Sequence, residues 1–399
     1  MKKKWHLLLT VLVCAVVLGG ALAYTSLLNR NHIGGTVRVG FIYSEDESTP
    51  YTANFVKAQR ALTQEYGSKV EILTRSNVAD RDAEHPIREL IRQGCRILFI
   101  NLDTDAPVSL AREYPDVQFC QASLSGMKQT EEPENYHTFN GEIYQARYVS
   151  GVVAGMKMRE MLDSGIITPK EAQVGFVGAF DNSEAISGFT AFLLGIHSVA
   201  PEATMRVKYI HAWDSYSLEK KAAQELIAEG CVILSQYVDT VGVASACQEA
   251  AVRGKKVYHV GYHQSMIDIA PAASLTSVRV NYAPYMIGAV QAVLNHRNIE
   301  KSIAGNAHGT NDISAGFDRD WTEILELNST IIADGTREKI GRIVEDMQKG
   351  RIQVFQGNYI GINPDNPADT IDLNSGFKEN ENTSYPTFHY ILRDYITIE

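Results

Sequence analysis

From Thr36 onward the chain alternates short apolar runs with longer stretches of helical periodicity. Val37–Tyr43, Val70–Leu73, Arg96–Asn101 and Val117–Ala122 have the length of buried strands, and Ala53–Tyr66, Pro86–Gln93 and Pro107–Tyr114 carry the pattern of helices. The alternation then returns. Gln173–Gly178, Met205–His211, Cys231–Gln236 and Lys256–Gly261 read as strands, with Glu184–Val199, Leu218–Glu229 and Val241–Arg253 as the helices between them. Strand and helix in strict succession predict parallel sheets covered by helices on both faces.

The two halves also repeat each other in detail. LIRQGCRILFINLDT (Leu90–Thr104) and LIAEGCVILSQYVDT (Leu226–Thr240) match with every shared position 136 residues apart. VGFIYS from Val39 answers VGFVGA from Val174, and VQFCQAS from Val117 answers VYHVGYH from Val257. A repeat of that length is a domain rather than a solenoid unit. The pattern predicts an α/β protein of two lobes, each a doubly wound parallel sheet. Within the doubled phrase, Gly94-Cys95 and Gly230-Cys231 mark helix ends and the starts of buried strands.

Ligands of open parallel sheets sit beyond the carboxyl ends of the strands. Here those ends lead into Ser44–Tyr51, Leu102–Asp105, Phe180–Glu184, Tyr237–Thr240 and Tyr262–Ser265, five loops rich in polar and aromatic residues. Two facing lobes would gather them around one cleft. Tyr51, Phe180, Phe189, Tyr237 and Tyr262 are the rings that would flank a planar ligand, with Asn182 and Asp239 as polar partners; stacking on a base contributes about 1–3 kcal/mol. Phe189 lies within a helix and Trp213 beyond a strand end, so both also suit a core position. Asp239 equally suits an N-cap.

Beyond the second half the pattern loosens. Phe317–Leu325 and Ile331–Lys349 complete the second lobe, and Arg351–Ile362 reads as a strand region. Asn363–Ser384 reads as surface loop and Thr387–Ile398 as a final strand, with no function attached. The lobes are expected at residues 36–140 with about 278–312, and at 141–277 with about 313–399.

Composition narrows the function. The 399 residues are 45% hydrophobic and 21% charged, an ordinary globular balance, and 37 Lys+Arg against 47 Asp+Glu give a net charge of −10. No basic run follows residue 4, so nucleic acid is not an expected partner. Residues 1–30 read as a targeting segment: positive charge over Met1–Lys4, then an apolar stretch from Leu7 to Leu28. An uncleaved membrane anchor, or cleavage after Ala21-Leu22-Ala23, is favoured over lipidation at Cys14, because Val13 precedes that cysteine. Each outcome places the folded part outside the cytoplasmic membrane. Cys95, Cys120, Cys231 and Cys247 read as buried hydrophobes, with a Cys231–Cys247 bridge left open.

Signatures of catalysis are missing from the sequence. There is no GxGxxG after a strand, no phosphate-binding loop, no HExxH and no GxSxG. His259 and His263 are four apart but begin in a strand-like run, where that spacing spans about 13 Å, too far to share a zinc ion. No enzyme activity, cofactor or metal is expected.

Three phrases carry a resemblance: YQARYVSGVVAGMKM from Tyr144, VGFVGAFDNSEAISGFTAFLLGIHSVAPEA from Val174, and GYHQSMIDIAPAASLTSVRVNYAPY from Gly261. Over about Val37–Gly361 the chain resembles the basic membrane protein family, the substrate-binding proteins of purine-nucleoside ABC transporters. The resemblance implies a type I periplasmic-binding-protein fold, two lobes joined by three crossover strands and closing on a purine nucleoside or base. It places Tyr51 at a base-stacking position with Thr52 beside it, Asp105 near a base-contacting group, Phe189 at a second stacking position, and Asp239 in a cleft-facing loop. Arg279 and Asn281 fall near the Lys of nucleoside-binding members. His263 departs, standing where many members have an Asp for the ribose hydroxyls, and imidazole cannot accept two hydrogen bonds from a diol in that way. Nucleoside, free base, modified nucleoside and other small ligands therefore remain open. The expected partner is an ABC importer, or alternatively a membrane signalling protein that reads the closed state.

Overall fold

The computed structural model describes residues 36–122 and 133–399. The first half supplies β1 (Val37–Ile42), α1 (Pro50–Tyr66), β2 (Val70–Arg75), α2 (Glu84–Arg92), β3 (Cys95–Ile100), α3 (Ala106–Glu113), β4 (Gln118–Ala122) and β5 (Tyr136–Gly141). After the long α4 (Ile143–Asp163) come β6 (Gln173–Gly178), α5 (Ser183–His197), β7 (Thr204–Tyr209), α6 (Tyr216–Ala228), β8 (Ile233–Tyr237), α7 (Gly242–Val252), β9 (Tyr258–Tyr262) and β10 (Ser274–Val280). The remainder contains α8 (Ala283–Leu294), β11 (Asn306–His308), β12 (Asp312–Ala315), β13 (Thr322–Ile324), α9 (Thr336–Gln348), β14 (Ile360–Asn363), β15 (Asn366–Asp372), β16 (Ile391–Leu392) and β17 (Ile396–Ile398).

Among the described residues these strands form two large sheets and a small one. The first sheet runs β11-β12-β5-β4-β3-β1-β2, the second β13-β10-β9-β8-β6-β7-β17, and β15-β14-β16 forms the third. In each large sheet the four strands of the repeat are parallel and have the same order, with the chain doubling back beside the first strand. Their apolar faces are why: Val39, Phe41, Ile97 and Phe99 in the first sheet, and Val174, Phe176, Ile233 and Leu234 in the second, are fully buried. Burying side chains of that size contributes about 1.5–3 kcal/mol each.

The chain passes between the sheets three times, at Glu142, at Asn281–Tyr282 and at Gly316–Trp321. β10 lies wholly in the second sheet and β12 in the first, so the last two passages fall a few residues beyond the expected boundaries. Helices α4 and α5 then pack closely along the second lobe. A Cβ on Gly151 would meet the Phe192 carbonyl oxygen at 2.1 Å, and one on Gly195 would meet that of Tyr148 at 2.0 Å. These positions need glycine for backbone contact, which accounts for the small residues in the phrase YVSGVVAG.

The C-terminal expectation needs correction. Arg351–Tyr359 is loop rather than strand, and Asn363–Ser384 contains β15, which pairs with β14. The expected final strand is two short ones, β16 and β17, in different sheets. Polar, Pro-containing sequence concealed this pairing because a three-stranded sheet lying over a neighbour needs only one apolar face. The four cysteines from Cys95 to Cys247 are buried free thiols, so the Cys231–Cys247 bridge does not form. Residues 1–30 lie outside the described residues. Among those described, no helix is long and apolar enough to cross a membrane.

Candidate functional site

Between the carboxyl ends of the two large sheets lies a cavity of about 640 Å³. Each of the five loops named from the sequence lends residues to its wall, and Asn101, Asn140 and Tyr282 add to them. The parallel strands explain the convergence, since all of them end at the same edge of their sheet.

The second lobe forms the floor. Tyr237 and Tyr262 end β8 and β9, and Glu184 stands in the first turn of α5, where its carboxylate hydrogen-bonds both phenols. Behind them Arg147 of α4 is 1% exposed, its guanidinium 4.0 Å from the centre of the Tyr262 ring and bonded to the Gln236 carbonyl at 2.9 Å. Enclosure pushes the Glu184 carboxyl above its ordinary range, and burial lowers Arg147. Attraction between the two groups offsets part of the cost of burying each. His263 follows β9 with φ of +65°, a conformation uncommon outside glycine, and its ring lies 3.6 Å from that of Tyr262. Burial holds the imidazole neutral, and its Nδ1 has no hydrogen-bond partner among the described residues.

The first lobe closes over this floor. Tyr51, in the first turn of α1, hydrogen-bonds Tyr282 through its phenol and packs 5.3 Å from His263. Its backbone N–H donates to Asp239 Oδ1 at 2.7 Å, a direct bond between the lobes. Burial pushes the Asp239 carboxyl up to about 8, aided by the carboxylate of Glu219. Glu219 itself is buried under the same loop, where Thr240 Oγ1 donates to it at 2.6 Å, and burial raises it to about 7. Ser44 N–H donates to Asn101 Oδ1, leaving the buried Asn101 Nδ2 without a partner. Such orphaned polar atoms beside a cavity are the ones a ligand would satisfy.

The rim is acidic. Glu45, Asp80, Asp103 and Asp214 join Glu184 and Asp239 in the wall, whereas no Lys or Arg among the described residues lines it. Trp213, 45% exposed, leans edge-on against Tyr237 and lies close to Phe180.

The sequence candidates divide accordingly. Tyr51, Phe180, Asn182, Tyr237, Asp239 and His263 come together at the cavity, with Asn182 also capping α5 by accepting from Ala185 N–H at 2.9 Å. Five others lie away from it. Thr52 is buried in α1 outside the cavity wall, and Phe189 packs against Phe176 in the core. Asp105 precedes α3 at the surface, two residues beyond Asp103, which takes the wall position instead. Arg279 is engaged by Glu323 at 2.8 Å, and Asn281 bonds the Asp320 carbonyl across two passages. Sequence reasoning missed Arg147, Asn101 and Tyr282. The one signal for Arg147 was a lone charge inside the apolar phrase YVSGVVAG and its flank. Among the described residues no cluster of His, Cys, Asp or Glu is arranged to hold a metal, and His259 points instead to Gln236 Oε1 at 3.0 Å.

Comparison with known proteins agrees with this architecture. A purine-binding protein of Brucella abortus (strain 2308) is 32% identical over 287 residues, covering 71% of this chain and 73% of that protein. A putative ABC transporter glucose-binding protein of Haloferax volcanii is 28% identical over 222 residues, covering 55% of this chain and 52% of the relative. An ABC transporter solute-binding protein of Conexibacter woesei superposes with a TM-score of 0.59 at 18% identity, covering 79% of this chain and 98% of that structure, which shows the shared fold. The family described as ABC transporter substrate-binding protein PnrA-like matches residues 37–322. With two lobes, a cleft between them and that match over most of its length, the chain belongs to this family of ABC transporter substrate-binding proteins.

Proposed function

We propose that the two lobes close on a purine nucleoside or nucleobase outside the cytoplasmic membrane and that the loaded form delivers it to an ABC importer. The observation that carries this reading is the wall itself: aromatic rings from both lobes together with acidic side chains and, among the described residues, no cationic one. Rings favour a planar ligand, and acceptors favour the N–H and O–H groups of a base or ribose. A phosphorylated ligand would meet six acidic side chains and, among the described residues of the wall, no Lys or Arg. The purine-binding relative supports the same reading. Hinge closure about the three passages would couple occupancy to the closed shape that the importer recognises.

Neutral His263 offers one donor and one acceptor, which suits a heterocycle edge better than a vicinal diol. Thermal-shift measurements against adenine, adenosine, guanosine, adenosine monophosphate, glucose and amino acids test the reading. A purine at 100 times its dissociation constant stabilises by about 2.7 kcal/mol, a shift of a few degrees. A shift with glucose or an amino acid and none with any purine would refute it.

A further inference from the structure

One residue of the cavity wall comes from a part of the chain that the family match does not reach. Tyr385 lines the cavity, yet it belongs to the C-terminal loop Phe377–Tyr390, more than fifty residues beyond the end of the match at 322. The loop is built, not draped. Glu379 is 4% exposed and accepts from Thr387 N–H at 2.6 Å, Thr387 Oγ1 at 2.9 Å and Phe388 N–H at 3.1 Å. Asn380, equally buried and with φ of +52°, donates from Nδ2 to the carbonyls of Thr383 and Ser384. Two buried side chains therefore fix the tight turn that presents residue 385. Below it Phe388 stacks on Phe355 with ring centres 4.0 Å apart.

The tip is also tied to both lobes. Ser384 N–H donates to Asp312 Oδ2 at 2.8 Å in the first sheet, and Ser183 Oγ, at the start of α5, donates to the Pro386 carbonyl at 2.8 Å. Ser187 of the same helix donates to Glu379 at 2.7 Å. Tyr385 stands between these two anchors, near Tyr237 on the floor of the cavity.

We infer that the C-terminal loop is part of the binding site and that Tyr385 is a ligand-contacting residue, held against the ligand by the anchors on either side of it. The inference rests on the cleft being the ligand site. A buried carboxylate satisfied by five loop and helix donors is more than a surface connection needs, whereas a side chain that must meet a ligand from a loop needs that support.

Isothermal titration with adenine, adenosine and glucose compares the full chain with its Tyr385→Ala, Tyr385→Leu and Glu184→Gln variants, after melting temperatures without ligand confirm folding. For the probe that the wild type binds tightest, Tyr385→Ala is expected to weaken binding about tenfold and Tyr385→Leu by less. Glu184→Gln reports on the cleft independently. If it weakens binding while both Tyr385 variants bind as the wild type does, the loop inference fails and the cleft reading stands. If the probe binds with unchanged affinity to all three variants, or if no probe binds the wild type, the cleft reading fails and the loop inference with it.

Discussion

The doubled phrase ends in Asp-Thr in both lobes, but the two acids do different work. Asp103 sits exposed on the rim, where its backbone N–H donates to Asp80 Oδ1 of its own lobe at 3.1 Å. Asp239 is 9% exposed and takes the Tyr51 N–H of the opposite lobe. Their neighbours differ likewise. Thr104 Oγ1 accepts from Ala106 N–H at the start of α3, whereas Thr240 Oγ1 accepts from Gly242 N–H and donates to the buried Glu219. The difference lies outside the phrase: Glu219 of the second lobe stands 136 residues from Ala83 of the first, and Tyr51 of the first lobe reaches across to Asp239. Duplication supplies matched jaws, and the unmatched residues around one jaw make the bond that joins them.

Alanine substitutions should separate the two acids most strongly. Asp239→Ala removes a buried hydrogen bond between the lobes and leaves the Tyr51 N–H unsatisfied, a loss of about 1–3 kcal/mol. Ligand affinity measured by calorimetry should fall at least tenfold. Asp103→Ala should change it by no more than about threefold, because a rim carboxylate is solvated with or without ligand. Equal losses from the two substitutions would erase the contrast.

The glycines of the phrase should behave alike. Gly94 and Gly230 have φ of +89° and +101°, and a Cβ at either finds no contact closer than 3.3 Å. Replacement by Ala therefore brings backbone strain alone, about 1–2 kcal/mol at each site. Denaturant unfolding should show similar losses in both lobes with ligand affinity little changed.

Acidity should distinguish the second jaw. In the unfolded chain Asp239 and Glu219 ionise near pH 4, whereas in the folded protein they hold their protons to about 8 and about 7. Between these values the native state binds more protons than the unfolded one, so stability falls as pH rises through the window. The melting temperature of the ligand-free protein should drop from pH 5 to pH 9, and Asp239→Asn should flatten the upper part of that decline. Asp103→Asn should leave the profile nearly unchanged. The smallest effect concerns the cysteines: alkylation of the protein unfolded without reductant should label Cys231 and Cys247 as readily as Cys95 and Cys120.

How much of this was legible in the sequence depended on periodicity. The strands of both halves fall within a few residues of expectation because each is an apolar run closed by a turn, and the five cleft loops follow from where parallel strands end. Phe189 shows the limit: one face of α5 meets the cavity at Glu184 and another meets the core, and single-chain spacing did not say which face a ring five residues on would take. Arg147 was hidden for the converse reason, since its partners Tyr262 and Gln236 lie about a hundred residues away in sequence. The C-terminal loop was least readable. Its order comes from two buried polar side chains, Glu379 and Asn380, that no hydrophobic pattern marks.

The most direct test of the central claim, an acid-lined cleft that takes an unphosphorylated purine, is calorimetric titration of the full chain with adenosine, adenine and adenosine monophosphate under one buffer condition. The account predicts that adenine or adenosine binds and that the monophosphate binds at least a hundredfold more weakly. Equal or tighter binding of the monophosphate would contradict it.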